Sequence, residues 1–256
     1  MSLLQARTLA IGYPGRTLVR RLDLTVDPGQ VWALLGNNGS GKSTLLHTLA
    51  GLRAPLEGGV ELDGRALPSF SAPARARRLG LLLQEDVSGF WGTVRDYVLL
   101  GRYPHRRSLW GWSEADFASA DAAIAVVDLG GRAQRALGAL SGGERQRARL
   151  AMLFAQAPVL LLLDEPLQHL DLRHQRELLA RLRAWAGERG RAVLMSLHDP
   201  RAARRVCDRA LLLFDDGSWQ AGEAHALLDD ACLERLYGCP LDEASASGQG
   251  ASGRHV

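Results

Sequence analysis

Apolar residues arrive in short runs along the first third of the chain, at Leu4 to Gly12, Thr17 to Val26 and Gln30 to Leu35, with turn dipeptides Pro14-Gly15 and Pro28-Gly29 between them. Runs of this length bounded by proline and glycine predict strands. The spacing turns helical from Lys42 through Ala50 and strand-like again at Gly58 to Leu62 and Leu79 to Leu83. From about Trp91 to about Leu137 it is mostly helical, with Trp110 and Trp112 inside. This predicts a helical segment, 91–140, inserted between two parts of one core, 1–90 and 141–240. The second half alternates: a helix from Glu144, a strand Val159 to Leu163, a long helix from about Leu172 to Gly187, a strand Ala192 to Ser196 and a helix from about Pro200. Strands that are apolar at every position suit a parallel sheet buried on both faces, so the expected fold class is α/β, with a mixed or parallel sheet and an antiparallel N-terminal β region. Leu211 to Phe214, Asp216-Gly217 and Trp219 to Gly222 predict a hairpin, and the Gly/Ser/Ala-rich stretch 243–256 a disordered tail.

Composition narrows the partners. With 46% hydrophobic and 23% charged residues the chain can bury a substantial core. Its formal charge of +3 is spread along the sequence rather than gathered into a basic run, so no nucleic-acid partner is expected. No apolar stretch reaches the roughly 18 to 20 residues that cross a bilayer, and Met1 to Arg7 lacks the layout of a signal peptide, so a cytosolic location is expected. Cys207, Cys232 and Cys239 are odd in number and have no paired spacing, and read as free thiols. Lys42 is the only lysine among 31 basic residues, and Asn37 and Asn38 are the only asparagines. One eight-residue stretch therefore resists a bias that holds everywhere else. An ammonium is a compact point charge that fits under a tight loop, where a guanidinium fork does not.

That stretch, Gly36-Asn37-Asn38-Gly39-Ser40-Gly41-Lys42-Ser43, is a complete G-x-x-x-x-G-K-[S/T] phosphate loop between a predicted strand and a predicted helix. The glycines let successive amides converge on the β- and γ-phosphates, the helix N-terminus adds partial positive charge, and Lys42 adds a full one. Ser43 is the expected Mg²⁺ ligand, and Thr44 lies beside the α-phosphate. The apolar run Val159 to Leu163 ends in Asp164-Glu165, two carboxylates where a buried strand delivers ligands. Asp164 suits a metal held through water, and Glu165 suits the activation of a water attacking the γ-phosphate.

Leu140-Ser141-Gly142-Gly143-Glu144-Arg145-Gln146-Arg147, ahead of a helix and upstream of Asp164, resembles the signature motif of the ATP-binding-cassette ATPases. The motif is a second anion site at a helix start, in a chain whose own phosphate loop leaves it no phosphate. The resemblance implies a P-loop NTPase core and a head-to-tail homodimer in which Ser141, Gly142 and Gly143 serve the partner's ATP. It extends over roughly Leu3 to Leu228. It implies that Tyr13 stacks on adenine and that Gln84 contacts Mg²⁺ or the lytic water. It also implies that Leu170-Asp171 reaches across the dimer and that His198 steadies the attacking water. Leu167 and Gln168 depart from the smaller polar residues usual there.

Within that family, Thr93-Val94-Arg95-Asp96-Tyr97-Val98 through Gly101-Arg102-Tyr103-Pro104-His105 is similar to ATPases that power import of iron-siderophores, haem and cobalamin. The resemblance implies two separate transmembrane permease subunits, a periplasmic or surface substrate-binding protein acting indirectly, and docking at the cytoplasmic face of the membrane. An export motor and a soluble ATPase acting on ribosomes or DNA are the alternative readings. Leu109 to Trp112 is either a packed cluster or part of the docking surface.

Overall fold

The computed structural model describes residues 2–83, 89–106, 111–188 and 190–238. Gln84, Trp110, Cys239 and the tail 243–256 lie outside them. Two strands, β1 (Leu4–Tyr13) and β2 (Arg16–Val26), lead to β3 (Val31–Gly36) and helix α1 (Lys42–Leu49). Strands β4 (Glu57–Leu62) and β5 (Arg65–Ala66), helix α2 (Ala72–Ala76) and strand β6 (Leu79–Leu82) follow. The helical stretch contains α3 (Val94–Leu99), a 3₁₀ segment Leu100–His105 and α4 (Glu114–Val126). Then come α5 (Gly142–Gln156), β7 (Leu160–Leu163), α6 (Leu172–Gly187), β8 (Ala192–Ser196) and α7 (Pro200–Val206). Strands β9 (Arg209–Leu213) and β10 (Trp219–Glu223) and helices α8 (Ala224–Leu227) and α9 (Asp230–Tyr237) complete the chain.

The strands form two sheets, one ordered β2-β1-β4-β5 and antiparallel, the other ordered β10-β9-β3-β8-β7-β6. In the second, every pairing is parallel except that of β9 with the edge strand β10. The expected fold class is therefore the observed one. Its central strands are apolar, save for Ser196 at the end of β8, because both faces are buried. Alternate residues part into two cores: Ala33, Leu35, Leu161, Leu163, Val193 and Met195 join a core that includes α5, α6 and the helical stretch. Trp32, Leu34, Leu160, Leu162, Ala192 and Leu194 join another, with Leu45, Leu46 and Leu49 of α1 and the N-terminal sheet. The parallel strands all end at one edge, and the loops leaving that edge carry the polar residues discussed below.

Element ends shift for local reasons. Helix α5 starts at Gly142, two residues before the predicted Glu144, because Ser141 caps it: its hydroxyl accepts from Glu144 N–H and the Glu144 carboxylate accepts from Ser141 N–H. Strand β9 begins at Arg209 rather than Leu211, paired with Trp32 of β3. The short β5 and α2 carry too few residues for periodicity to reveal. The expected thiols agree for the two cysteines described: Cys207 and Cys232 are free, and burial pushes the Cys207 thiol up to about 12. No helix among the described residues is long and apolar enough to cross a membrane.

The helical stretch meets α5 at a point of backbone contact. A Cβ on Gly101 would lie 2.1 Å from the Met152 carbonyl oxygen, whereas one on Gly130 would meet nothing within 4 Å. Gly101→Ala is expected to cost about 1–3 kcal/mol, a fall of roughly 2–12 °C in melting temperature. Gly130→Ala should stay within about 0.5 kcal/mol. Paired thermal melts of the two variants check this.

Candidate active site

The loop between β3 and α1 curls around its own lysine. Gly41, at the helix N-cap, has φ 105°, and Gly39 has φ 84°. A side chain would be strained at both, and at Gly41 its Cβ would also crowd Leu18 at 3.2 Å. Lys42 is 6% exposed, and its Nζ donates to the carbonyl oxygens of Gly36 at 2.8 Å and Asn37 at 2.9 Å. Its third N–H has no protein acceptor among the described residues. Burial lowers the pKa of this ammonium, against the opposing pull of the Glu165, Asp164 and Asp215 carboxylates. The Ser40 hydroxyl is also buried, with no hydrogen-bond partner among the described residues. Ser43 is exposed and Thr44 buried in the first turn of α1, and Asn38 is exposed. Asn37 is tied outward: its amide donates to the Asp215 carboxylate at 2.9 Å and to the Leu236 carbonyl of α9 at 3.1 Å.

The end of β7 supplies the carboxylates. Leu163 is paired with Met195 of β8, so Asp164 emerges beside Ser196. Asp164 is 3% exposed, and its Oδ1 accepts from Ser196 Oγ at 2.8 Å. The same hydroxyl accepts from Glu165 N–H at 2.7 Å. Glu165 has φ 47°, and its Oε1 lies 2.8 Å from His198 Nε2. A left-handed residue other than glycine costs about 1–3 kcal/mol and persists where its surroundings over-determine it. Here the backbone amide and the side-chain carboxylate are both held from β8 and the turn after it.

The Ser141 loop lies elsewhere on the chain. No hydrogen bond or ion pair joins it to the Lys42 loop among the described residues. Its capping box leaves the Glu144 carboxylate well below its usual range, chiefly through the Ser141 N–H bond, with Arg132 2.7 Å away. Gly142 and Gly143 pack against His169, and a Cβ on Gly143 would come within 2.9 Å of the His169 carbonyl oxygen. His169 is itself left-handed, at φ 64°. Asp171 caps α6, accepting from His174 N–H at 2.9 Å, and is largely exposed. Tyr13 is 47% exposed, and the Arg53 guanidinium stacks on its ring 4.0 Å from the centroid.

The structure thus gathers Gly36, Asn37, Lys42, Asp164, Glu165 and His198 into one neighbourhood and leaves Ser141, Gly142, Gly143 and Asp171 in a second group. Sequence reading missed Ser196 and Asp215, both of which contact the first group. It also missed how α5 is fastened: Gln146 Nε2 donates to the Pro166 carbonyl at 3.0 Å, and Arg149 donates to Gln146 Oε1 and to the Leu83 carbonyl. Of the tryptophan-rich stretch, Trp112 packs edge-on against Tyr103, with Arg106 over both rings.

A glycine loop closed over a buried lysine at a helix start, with two carboxylates delivered by the adjacent strand system, defines a P-loop nucleotide-binding protein. The sequence profile described as "ABC transporter" matches residues 19–168. The chain belongs to that family, and it is an ATP-binding protein that hydrolyses ATP. It is 38% identical over 237 residues to the achromobactin transport ATP-binding protein of Dickeya dadantii, covering 93% of this chain and 88% of that protein. It is 43% identical over 220 residues to a hemin import ATP-binding protein of Pseudomonas entomophila, covering 84% of each. The fold matches a solved chain of a metal-chelate type ABC transporter in an inward-facing conformation, with a TM-score of 0.82 and 29% identity over 94% of this chain and 90% of that one. It also matches a bacterial Atm1-family exporter with ATP bound at a TM-score of 0.77 and 26% identity, over 96% of this chain and 42% of that one. The core architecture is therefore one that an exporter shares.

The burial of Lys42 and its two bonds to carbonyls of its own loop suit a compact ammonium better than a broad guanidinium fork. Lys42→Arg is expected to weaken ATP binding by tenfold or more, close to the loss in Lys42→Ala. Fluorescent-nucleotide titration of both variants against the native protein checks this.

Proposed function

We propose that this chain is the motor of an importer for a metal chelate, an iron-siderophore, haem or cobalamin. It works as a homodimer docked on two transmembrane permease subunits at the cytoplasmic face of the membrane, with a substrate-binding protein acting on the far side. The import function and substrate class rest on the relatives, whose names specify achromobactin, hemin and ferric enterobactin. The dimeric site rests on one observation: the chain has two loops suited to anions, Gly36–Lys42 and Ser141–Gly143, and only the first has strand-end carboxylates, Asp164 and Glu165, beside it, whereas the Glu144 carboxylate at the second is committed to the Ser141 amide and Arg132. A phosphate at Ser141 therefore needs metal and water from another copy. In this reading residues 1–90 and 141–240 form the ATP-binding core and 91–140 the helical signature region.

The residues fit Mg-ATP. The unpartnered Ser40 hydroxyl and the third N–H of Lys42 are buried donors in a loop of left-handed glycines, which is chemistry suited to phosphate oxygens. Ser43, Asp164 and Gln84 would hold Mg²⁺, which when bound supplies neutralisation of the charge across the phosphates. Lys42 and the amides of the loop orient the β- and γ-phosphates, with Thr44 beside the α-phosphate. Tyr13 stacks on adenine once Arg53 yields or shares the ring. Glu165 takes the proton of the attacking water, and His198 keeps that carboxylate and water aligned. Ser141, Gly142, Gly143 and Asp171 complete the partner's site.

Mixing a Ser141→Arg variant with a Lys42→Ala variant should restore part of the ATPase activity that each lacks alone, because one kind of heterodimer site keeps both halves intact. Mixtures no more active than the pure variants would remove the shared-site reading. The import reading is checked by co-purifying the permease and reconstituting it in vesicles. ATP-driven movement of a ferric siderophore, haem or cobalamin toward the ATPase side supports it, and movement away from that side excludes it.

A further inference from the structure

The hydroxyl at the end of the central strand β8 is fully buried and has no part in the roles given above. Ser196 closes β8, between β3 and β7, with no exposed surface. Leu34 of β3 lies beside it in register, and the Leu197 amide donates to the Leu34 carbonyl at 3.1 Å, so its backbone is fixed by the strand that feeds the phosphate loop. A buried polar group in an otherwise apolar strand requires partners, and this one has two from β7's end: the Asp164 carboxylate at 2.8 Å and the Glu165 amide at 2.7 Å.

The direction of these bonds is settled by valence. An amide N–H can only donate, so Ser196 Oγ accepts from Glu165. A hydroxyl has one hydrogen, and with a carboxylate oxygen at 2.8 Å that hydrogen goes to Asp164 Oδ1. The resulting chain, Glu165 N–H to Ser196 O–H to Asp164, has a single polarity. Its two consequences fall on different residues. Asp164 Oδ1 is committed to the protein while Oδ2 accepts no hydrogen bond among the described residues, so the hydroxyl selects the face that the carboxylate presents. Glu165 is anchored at its amide in a left-handed conformation, φ 47°, that its side chain alone would not favour, and this orients its carboxylate toward His198.

We propose that Ser196 is a positioning residue for ATP hydrolysis, one hydroxyl that sets both the metal-facing oxygen of Asp164 and the backbone of Glu165. The proposal rests on the roles given above to Asp164 and Glu165. It differs from a packing role in what it affects: metal affinity and turnover change, while nucleotide affinity without metal does not. Outer partners of a metal-holding carboxylate typically affect metal affinity by about 10- to 100-fold.

The test compares Ser196→Ala and Ser196→Thr with the native protein, using turnover, KM for ATP, and Mn²⁺ binding to the ADP-loaded protein followed by electron paramagnetic resonance. Ser196→Ala is expected to lower kcat about tenfold or more with KM within twofold. Mn²⁺ affinity should fall about tenfold, and ADP affinity in chelator should stay within twofold. Ser196→Thr, which keeps the hydroxyl, should recover kcat and Mn²⁺ affinity to within about threefold. If the alanine variant does not fold, Ser196→Cys, similar in volume but a weak donor, carries the same expectation. Native kcat and Mn²⁺ affinity in the folded variant overturn the proposal, as does a parallel loss of metal-free ADP affinity. Asp164→Asn and Glu165→Gln are run alongside. If they too retain turnover, the underlying assignment fails, whereas if they lose it and Ser196→Ala does not, only the role of Ser196 fails.

Discussion

Burying one ammonium beside two carboxylates, at the edge of a sheet whose faces are both apolar, is the constraint that the rest of the site serves. An isolated charge in such a place costs several kcal/mol even after relaxation. Lys42 offsets this with two carbonyl bonds supplied by its own loop and with the field of Asp164, Glu165 and Asp215. Both carbonyls belong to residues of the turn itself, Gly36 and Asn37, so the lysine and the loop conformation stabilise each other. The left-handed glycines follow from that closure. So does the outward anchoring of Asn37 to Asp215 and Leu236, which ties the turn to the β9–β10 connection and to α9.

The sequence was most legible where a function is written in consecutive residues. The Lys42 loop, the Asp164-Glu165 pair and the Ser141 loop each lie in a short contiguous motif, and the continuous leucine run of β7 announced a strand buried on both sides. Register and distant pairing are another matter. Ser196 sits beside Asp164 only because Leu163 pairs with Met195, and Asn37 finds Asp215 across 178 positions. No local pattern encodes either. Tyr13 shows a third kind of limit: the residue stands at the expected strand end, but its ring already carries Arg53, a partner 40 residues away that periodicity cannot bring to it.

Helix α5 is bonded to the catalytic edge through several side chains. Helix α5 begins at the Ser141 cap, and within its first eight residues Gln146 holds the Pro166 carbonyl and Arg149 holds both Gln146 and the Leu83 carbonyl. Pro166 follows Glu165 directly, and Leu83 precedes Gln84 directly. A rigid helix transmits displacement along its axis, so any movement of the Ser141 loop bears on the backbone next to Glu165 and next to Gln84. Gln146 is 3% exposed, and breaking its bond would leave a buried amide and a buried carbonyl unsatisfied together, so the helix and the Pro166 turn move as a unit. The link from α5 to Leu83 passes through the half-buried Arg149, which also holds Gln146. At its other end α5 is fastened to β6 itself, where Gln156 Nε2 donates to the Leu79 carbonyl at 2.9 Å and to the Ala76 carbonyl at 2.6 Å, so one helix spans from the turn after Glu165 to the strand that leads to Gln84.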